Sequence, residues 1–145
     1  MQKIKLIGVS NFTINHLKDA LASKIEFVLN QVEFHPSLNQ KELLEFCQKN
    51  QIALTAYSPI GVGNDLKIDL IQELAKKYQK TESQIILNWL TSKNIIAIPR
   101  SKDEKHIKEN FEALDFQIEE KDLKKIENLN LNQRYVNPSF SDFEY

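Results

Sequence analysis

Cysteine is nearly absent: Cys47 is the only one in 145 residues. An internal disulfide framework and a thiolate metal cluster are therefore excluded. The setting of Cys47 in "LLEFCQ", on an apolar helical face, assigns it to packing. An excess of charge is also lacking, because 19 Lys and Arg stand against 20 Asp and Glu, for a formal net charge of −1. Without a long run of either sign, nothing marks the chain as a partner of nucleic acid or of an anionic membrane. Long apolar runs are missing as well. "IIL" and "IIAI" fall far short of the roughly 18 residues a membrane span needs, and the N-terminus lacks a signal-peptide core. These absences predict a cytoplasmic chain with no membrane partner.

What is present is ordinary globular composition, 41% apolar, arranged in a regular alternation. Four short β-rich runs, 4–9 "IKLIGV", 27–34 "FVLNQVEF", 52–57 "IALTAY" and 95–98 "IIAI", are separated by helical patterns. Strand then helix, repeated, predicts a parallel α/β sheet. Ile14, Leu17 and Leu21 recur at helical spacing behind a Thr13 cap. A second helix, 40–49, carries Leu43, Leu44 and Cys47, with Asn39 or Ser37 placed to cap it. After the loop "SPIGVGND", one helix presents Ile68, Ile71, Leu74, Ala75 and Tyr78. The next opens on a Thr81–Gln84 capping box and buries Ile85, Ile86, Trp89 and Leu90. Ser101 and Glu104 repeat that spacing ahead of a helix with Ile107 and Phe111 on its inner face. A last helix, 119–129, buries Leu123, Ile126 and Leu129. The reading divides the chain into a domain, 1–130, and an irregular polar and aromatic tail, 131–145.

In parallel α/β folds, ligands sit at the carboxyl ends of the strands, where the loops converge. Every strand delivers polar residues there: Ser10 and Asn11, then Gln31 and Glu33, then Tyr57 and Ser58, then Arg100 and Ser101. Any one of these is ordinary turn chemistry, but four on one rim form a pattern. Ser, Asn and Gln donate to and accept from a carboxamide, and a tyrosine ring stacks on a flat heterocycle, a set suited to a nicotinamide. Arg100 and Ser101 precede a helix, where free N–H groups and a guanidinium suit a phosphate. One dinucleotide would satisfy both, although neither GxGxxG nor a Walker loop occurs. An unrelated α/β phosphate-binding protein would use only the second site.

"GVSNF", "NQVEFHP", "AYSPIG" and "IPRS" followed by "KEN" resemble, in order and separation, the aldo-keto reductases, NADP(H)-dependent oxidoreductases on a (β/α)8 barrel. The similarity runs from Ile4 to about Asn130. It implies that Ser10, Asn11 and Gln31 bind the nicotinamide carboxamide, that Tyr57 stacks on the ring, and that Ser58 with the loop to Asn64 covers the pyrophosphate. It also implies that Arg100 and Ser101 grip the 2′-phosphate and that Glu109 and Asn110 contact the adenine. His106 stands where the family commonly stacks an arginine, and Asp103 enters near the phosphate, so NAD(H) stays open beside NADP(H). The family's catalytic Asp, Tyr, Lys and His belong to the barrel's first four strands, and this chain matches the last four. No catalytic residue is therefore assigned here, and His35 and Glu33 are read as structural.

A closed barrel needs about 200 to 250 residues, so the expected fold is half of a TIM (β/α)8 barrel. Its two open edges and uncovered apolar layer call for a partner, either a separately encoded N-terminal half or a second copy of the chain. The resemblance thus implies the cofactor-binding half of a carbonyl reductase, inactive alone. The alternative is a non-catalytic dinucleotide-binding remnant or self-pairing half-barrel module.

Overall fold

The structure, a computed structural model, describes residues 4–139 and 141–145. Four parallel strands form one sheet, β1 (Gly8–Ser10), β2 (Leu29–Glu33), β3 (Ala53–Tyr57) and β4 (Ile96–Ala97), in the order β1-β2-β3-β4. Spatial order equal to chain order is the arrangement of a barrel arc. A doubly wound sheet would instead reverse direction at a switch point. Among the described residues, six helices join and follow the strands: α1 (Ile14–Ala22), α2 (Lys41–Lys49), α3 (Asp69–Tyr78), α4 (Glu82–Ser92), α5 (Glu104–Glu112) and α6 (Glu120–Glu127). Two 3-10 turns, Gly61–Gly63 and Asp65–Lys67, lie between β3 and α3. No helix among the described residues is long and apolar enough to cross a membrane.

Strand alternation sorts the residues into two faces. Val32, Leu54 and Ala56 are buried under the helices with Leu17, Phe34, Ile71, Ile85, Ile86, Trp89, Leu90 and Cys47. Phe34 and Trp89 meet at a ring separation of 5.9 Å in this core. Cys47 packs as its apolar setting predicts, and burial pushes its thiol up to about 11. The opposite face carries Ser10, Gln31 and Thr55 at one level, paired Ser10 to Gln31 and Gln31 to Thr55. In a closed barrel this second face is the interior.

Several local expectations change. The strands are shorter than their apolar runs, most of all at the edges, where β1 and β4 each pair on one side only. Neither Asn39 nor Ser37 caps α2. Its first position follows Gln40 in a left-handed conformation with no side-chain cap, while Asn39 Nδ2 donates to the Glu127 carbonyl and Ser37 turns to Asp65. The Ser101–Glu104 box does not form: Asp103 caps α5 by accepting from the His106 N–H, and the Ser101 hydroxyl accepts from the Asp103 N–H. Ile107 and Phe111 are not on an inner face; they are 55% and 74% exposed. The helix has its apolar stripe, but Ile107 and Phe111 on it are left exposed among the described residues. The Thr13 cap and the Thr81–Gln84 box are both present.

Candidate functional site

Backbone geometry at the end of β1 builds the first part of the site. Asn11 adopts a left-handed φ of 57°, which asparagine tolerates better than most residues. The chain thereby turns back so that the Asn11 N–H donates to the Gln31 carbonyl at 2.9 Å. The Ser10 hydroxyl donates to the same carbonyl at 3.0 Å. From β3, the Tyr57 hydroxyl crosses the end of β2 to donate to Asn11 Oδ1 at 3.0 Å. Ser10, Asn11, Gln31 and Tyr57 are thus brought together from three adjacent strands. Burial, then the nearby Glu33 charge, pushes the Tyr57 phenol up.

Beyond Tyr57 the chain bends at Ser58, φ 48°, and the Gly61 N–H closes a turn onto the Ser58 carbonyl at 2.9 Å. A Cβ on Gly61 would lie 2.5 Å from Asp65 Oδ1, so the turn needs glycine for space as well as for its φ of 58°. On the neighbouring strand, Ile98 N–H bonds the Ala56 carbonyl at 3.2 Å, and Arg100 and Ser101 follow just before α5. Arg100 is exposed and forms no ion pair among the described residues. His106 is exposed on the first turn of α5, while Glu109 and Asn110 are half-buried further along it. Glu109 lies 3.7 Å from Lys105, and Asn110 accepts from the Ser83 hydroxyl at 3.0 Å, which ties α5 to α4.

A buried polar cluster underlies this rim. Glu33, His35 and Asp65 are fully buried. His35 faces Glu33 Oε1 through Nε2 at 3.1 Å and Asp65 Oδ2 through Nδ1 at 2.9 Å. The Ser37 N–H and hydroxyl donate to Asp65 at 2.9 and 2.8 Å. Glu33 and His35, read from the sequence as structural, thus sit in a buried hydrogen-bonded network. Sequence reasoning did not find what else they hold. The tail donates to Glu33 through the Tyr135 N–H at 2.7 Å, the Val136 N–H at 3.2 Å and the Arg134 guanidinium at 3.2 Å. Tyr135 also stacks on His35 with ring centroids 5.1 Å apart. Further on, Ser141 accepts from Asn11 Nδ2 at 3.5 Å, and the Tyr145 carbonyl accepts from the Thr13 hydroxyl at 2.7 Å. The residues concerned are about a hundred positions apart, and no periodicity links them; the only sequence signal is a polar and aromatic tail with too little apolar content for a helix.

A cavity of about 750 Å³ opens between the starts of α1 and α2 and the tail, with Asn11, Gln40, Arg134 and Phe143 in its walls. Of the candidate residues it includes Asn11 alone. The remainder of the rim is open on the side that a closed barrel would wall off.

The sequence model of the Aldo/keto reductase family matches residues 3–64 and 62–131. This chain belongs to the aldo-keto reductase family. It is 44% identical over 144 residues to the uncharacterized oxidoreductase YtbE of Bacillus subtilis, covering 99% of this chain and 51% of that protein. Among solved structures, an aldo-keto reductase from a Medee basin deep-sea metagenome library superposes with a TM-score of 0.88 at 36% identity, covering 99% of this chain and 54% of that one. A Bombyx mori aldo-keto reductase in complex with NADP does so with a TM-score of 0.85 at 32% identity, over 92% and 47% of the two chains. The chain spans about half the length of the curated relatives it matches. Its four-stranded parallel sheet with flanking helices corresponds to part of the aldo-keto reductase barrel.

Proposed function

We propose that this chain is the cofactor-binding half of an NADP(H)-dependent aldo-keto reductase. The observation that carries the reading is the convergence of Ser10, Asn11, Gln31 and Tyr57 at one end of the sheet, with Arg100 and Ser101 on the next strand end ahead of a helix. The donor set fits the cofactor. Asn11 and Gln31 offer amide donors and acceptors for a carboxamide, Tyr57 offers a flat ring, and Arg100 is an exposed guanidinium with no competing ion pair among the described residues. The NADP bound to the Bombyx mori relative supports the same cofactor here.

When bound, the nicotinamide would supply the hydride for carbonyl reduction. The residues of this chain would do the binding and orienting: Ser10, Asn11 and Gln31 fix the carboxamide and hence the ring face, and Tyr57 supports the ring from one side. Ser58 and its turn cover the pyrophosphate, Arg100 and Ser101 take the 2′-phosphate, and His106, Glu109 and Asn110 lie toward the adenine. The Asp103 carboxylate, which caps α5, repels a phosphate at that helix end, so preference for NADP(H) over NAD(H) rests on Arg100.

No residue here is assigned to proton transfer, and the chain alone reduces no carbonyl. The outer edges of β1 and β4, with Leu6 and Ile98 exposed next to them in the chain and Phe111 and Leu114 exposed on and after α5, support a strand-donating partner. An N-terminal half of the barrel or a second copy of the chain would cover them, in a cytoplasmic setting. Titration with NADPH tests the reading: a rise in thermal midpoint is expected by linkage, together with no turnover of nitrobenzaldehyde. No shift at saturating NADPH would refute the cofactor site, and turnover at ordinary reductase rates would refute the missing chemistry.

A further inference from the structure

One hydroxyl on the inner face of the sheet has nothing to bond. Thr55 is 4% exposed, and its Oγ1 is buried without a hydrogen-bond partner among the described residues. Of the three buried side-chain atoms in that position, only this one lies on a strand. A buried polar atom left unsatisfied costs stability. Valine would fill the same space without that cost, so the hydroxyl calls for a use that the free chain does not show.

The neighbours of Thr55 in register are Gln31 on one side and Ile96 on the other. Residues paired across parallel strands present their side chains on the same face about 5 Å apart, within reach of a glutamine amide. Gln31 lacks a hold of its own. Its main-chain carbonyl accepts from the Ser10 hydroxyl at 3.0 Å and the Asn11 N–H at 2.9 Å. Its half-buried side-chain amide bonds nothing among the described residues, so either end of it can face a ligand.

The other rim groups decide which end a carboxamide requires. Ser10 has committed its hydrogen to Gln31 and offers only lone pairs. Asn11 Oδ1 accepts from Tyr57 at 3.0 Å, and Asn11 Nδ2 donates to Ser141 at 3.5 Å. A carboxamide NH2 therefore finds its acceptor in Ser10, and the fullest free donor for the carbonyl is Gln31 Nε2. Gln31 Oε1 must then turn away from the ligand, and the apolar Ile96 offers it nothing. We propose that Thr55 is a positioning residue for the cofactor: its hydroxyl donates to Gln31 Oε1 and so aims Nε2 at the carboxamide oxygen. The proposal rests on the reading of this rim as a nicotinamide site.

Isothermal titration with two ligands tests it, NADPH and 2′-phospho-AMP, which has the adenine and the 2′-phosphate but no nicotinamide. Thr55→Val keeps the shape and removes the hydroxyl. It should weaken NADPH about three- to tenfold, the worth of one ordinary hydrogen bond, and leave 2′-phospho-AMP unchanged. Thr55→Ser should bind NADPH like the wild type, and in a Gln31→Leu background Thr55→Val should add no further loss. Without ligand, Thr55→Val should melt at or above the wild-type midpoint, because the hydroxyl it removes is unsatisfied. A lower midpoint would mean that the hydroxyl is already partnered in the free chain, and would overturn the proposal. An equal loss for both ligands, or a further loss on Gln31→Leu, would do the same. A wild type that binds neither ligand refutes the cofactor reading and the role of Thr55 with it; a wild type that binds NADPH no better than Thr55→Val does refutes Thr55 alone.

Discussion

Asn88 offers a sharp test of how α5, with Glu109 and Asn110 on it, is held in place. It is buried in α4, and its Nδ2 donates to the Ala113 carbonyl at 2.8 Å and to the Phe116 carbonyl at 2.7 Å, just past the end of α5. Asn88→Leu keeps a similar volume and removes both donors. A buried acceptor left without a partner costs about 1–3 kcal/mol. The Phe116 site is only partly buried and rehydrates in part, so the total should be about 2–4 kcal/mol. For a chain of this size each kcal/mol moves the melting midpoint by roughly 3 °C, giving a drop of about 6–12 °C. Urea denaturation should show a lower midpoint at unchanged slope, and exchange should quicken at residues 113–116. Asn88→Asp should be worse than leucine, because it sets an oxygen against two carbonyl oxygens. A loss under about 0.5 kcal/mol, the scale of an indifferent surface change, would show that these bonds do not anchor the turn.

Three other outcomes are expected. Gly61→Ala should destabilise by about 2–4 kcal/mol in urea, from its left-handed backbone and its clash with buried Asp65; a neutral effect would mean that the turn and Asp65 move freely. Arg100→Ala should weaken NADPH about 10- to 100-fold by isothermal titration, as for a lost charge-assisted bond, and leave NADH nearly untouched. Equal losses for both cofactors would remove Arg100 from the phosphate. Asp122, buried between Lys77, Lys125 and the Tyr78 hydroxyl, is held well below the usual carboxylate range by those bonds, Lys125 foremost. Its contribution is present above about pH 4 and is lost as pH falls through its folded value, so Asp122→Asn should flatten the acid limb of stability; an unchanged limb would contradict the assignment.

The parts of this fold legible in the sequence are those governed by near neighbours. The Thr81–Gln84 box spans three residues, and the apolar run after it needed only helical spacing to place Trp89 and Leu90 in the core. The convergence of Ser10, Asn11, Gln31 and Tyr57 was legible because parallel strands deliver their ends to one rim. Ile107 and Phe111 show the limit, since periodicity tells which face of a helix is apolar but not whether the covering surface is in the same chain. The cap of α5 was misplaced by two residues because Ser101 and Asp103 are both good caps, and only the turn between them decides. Gln40 in a left-handed conformation carries no signal in its side chain. The grip of the tail on Glu33 and His35 joins residues a hundred apart and leaves no local pattern.

The hold of Glu33 on Val136 is made through the backbone N–H, and every residue but proline has one. That bond places no demand on the side chain at 136, which is half-buried and answers to packing alone. Proline, which has no such hydrogen, is the one substitution the bond itself forbids, so a scan of position 136 should tolerate residues of similar size and exclude proline sharply.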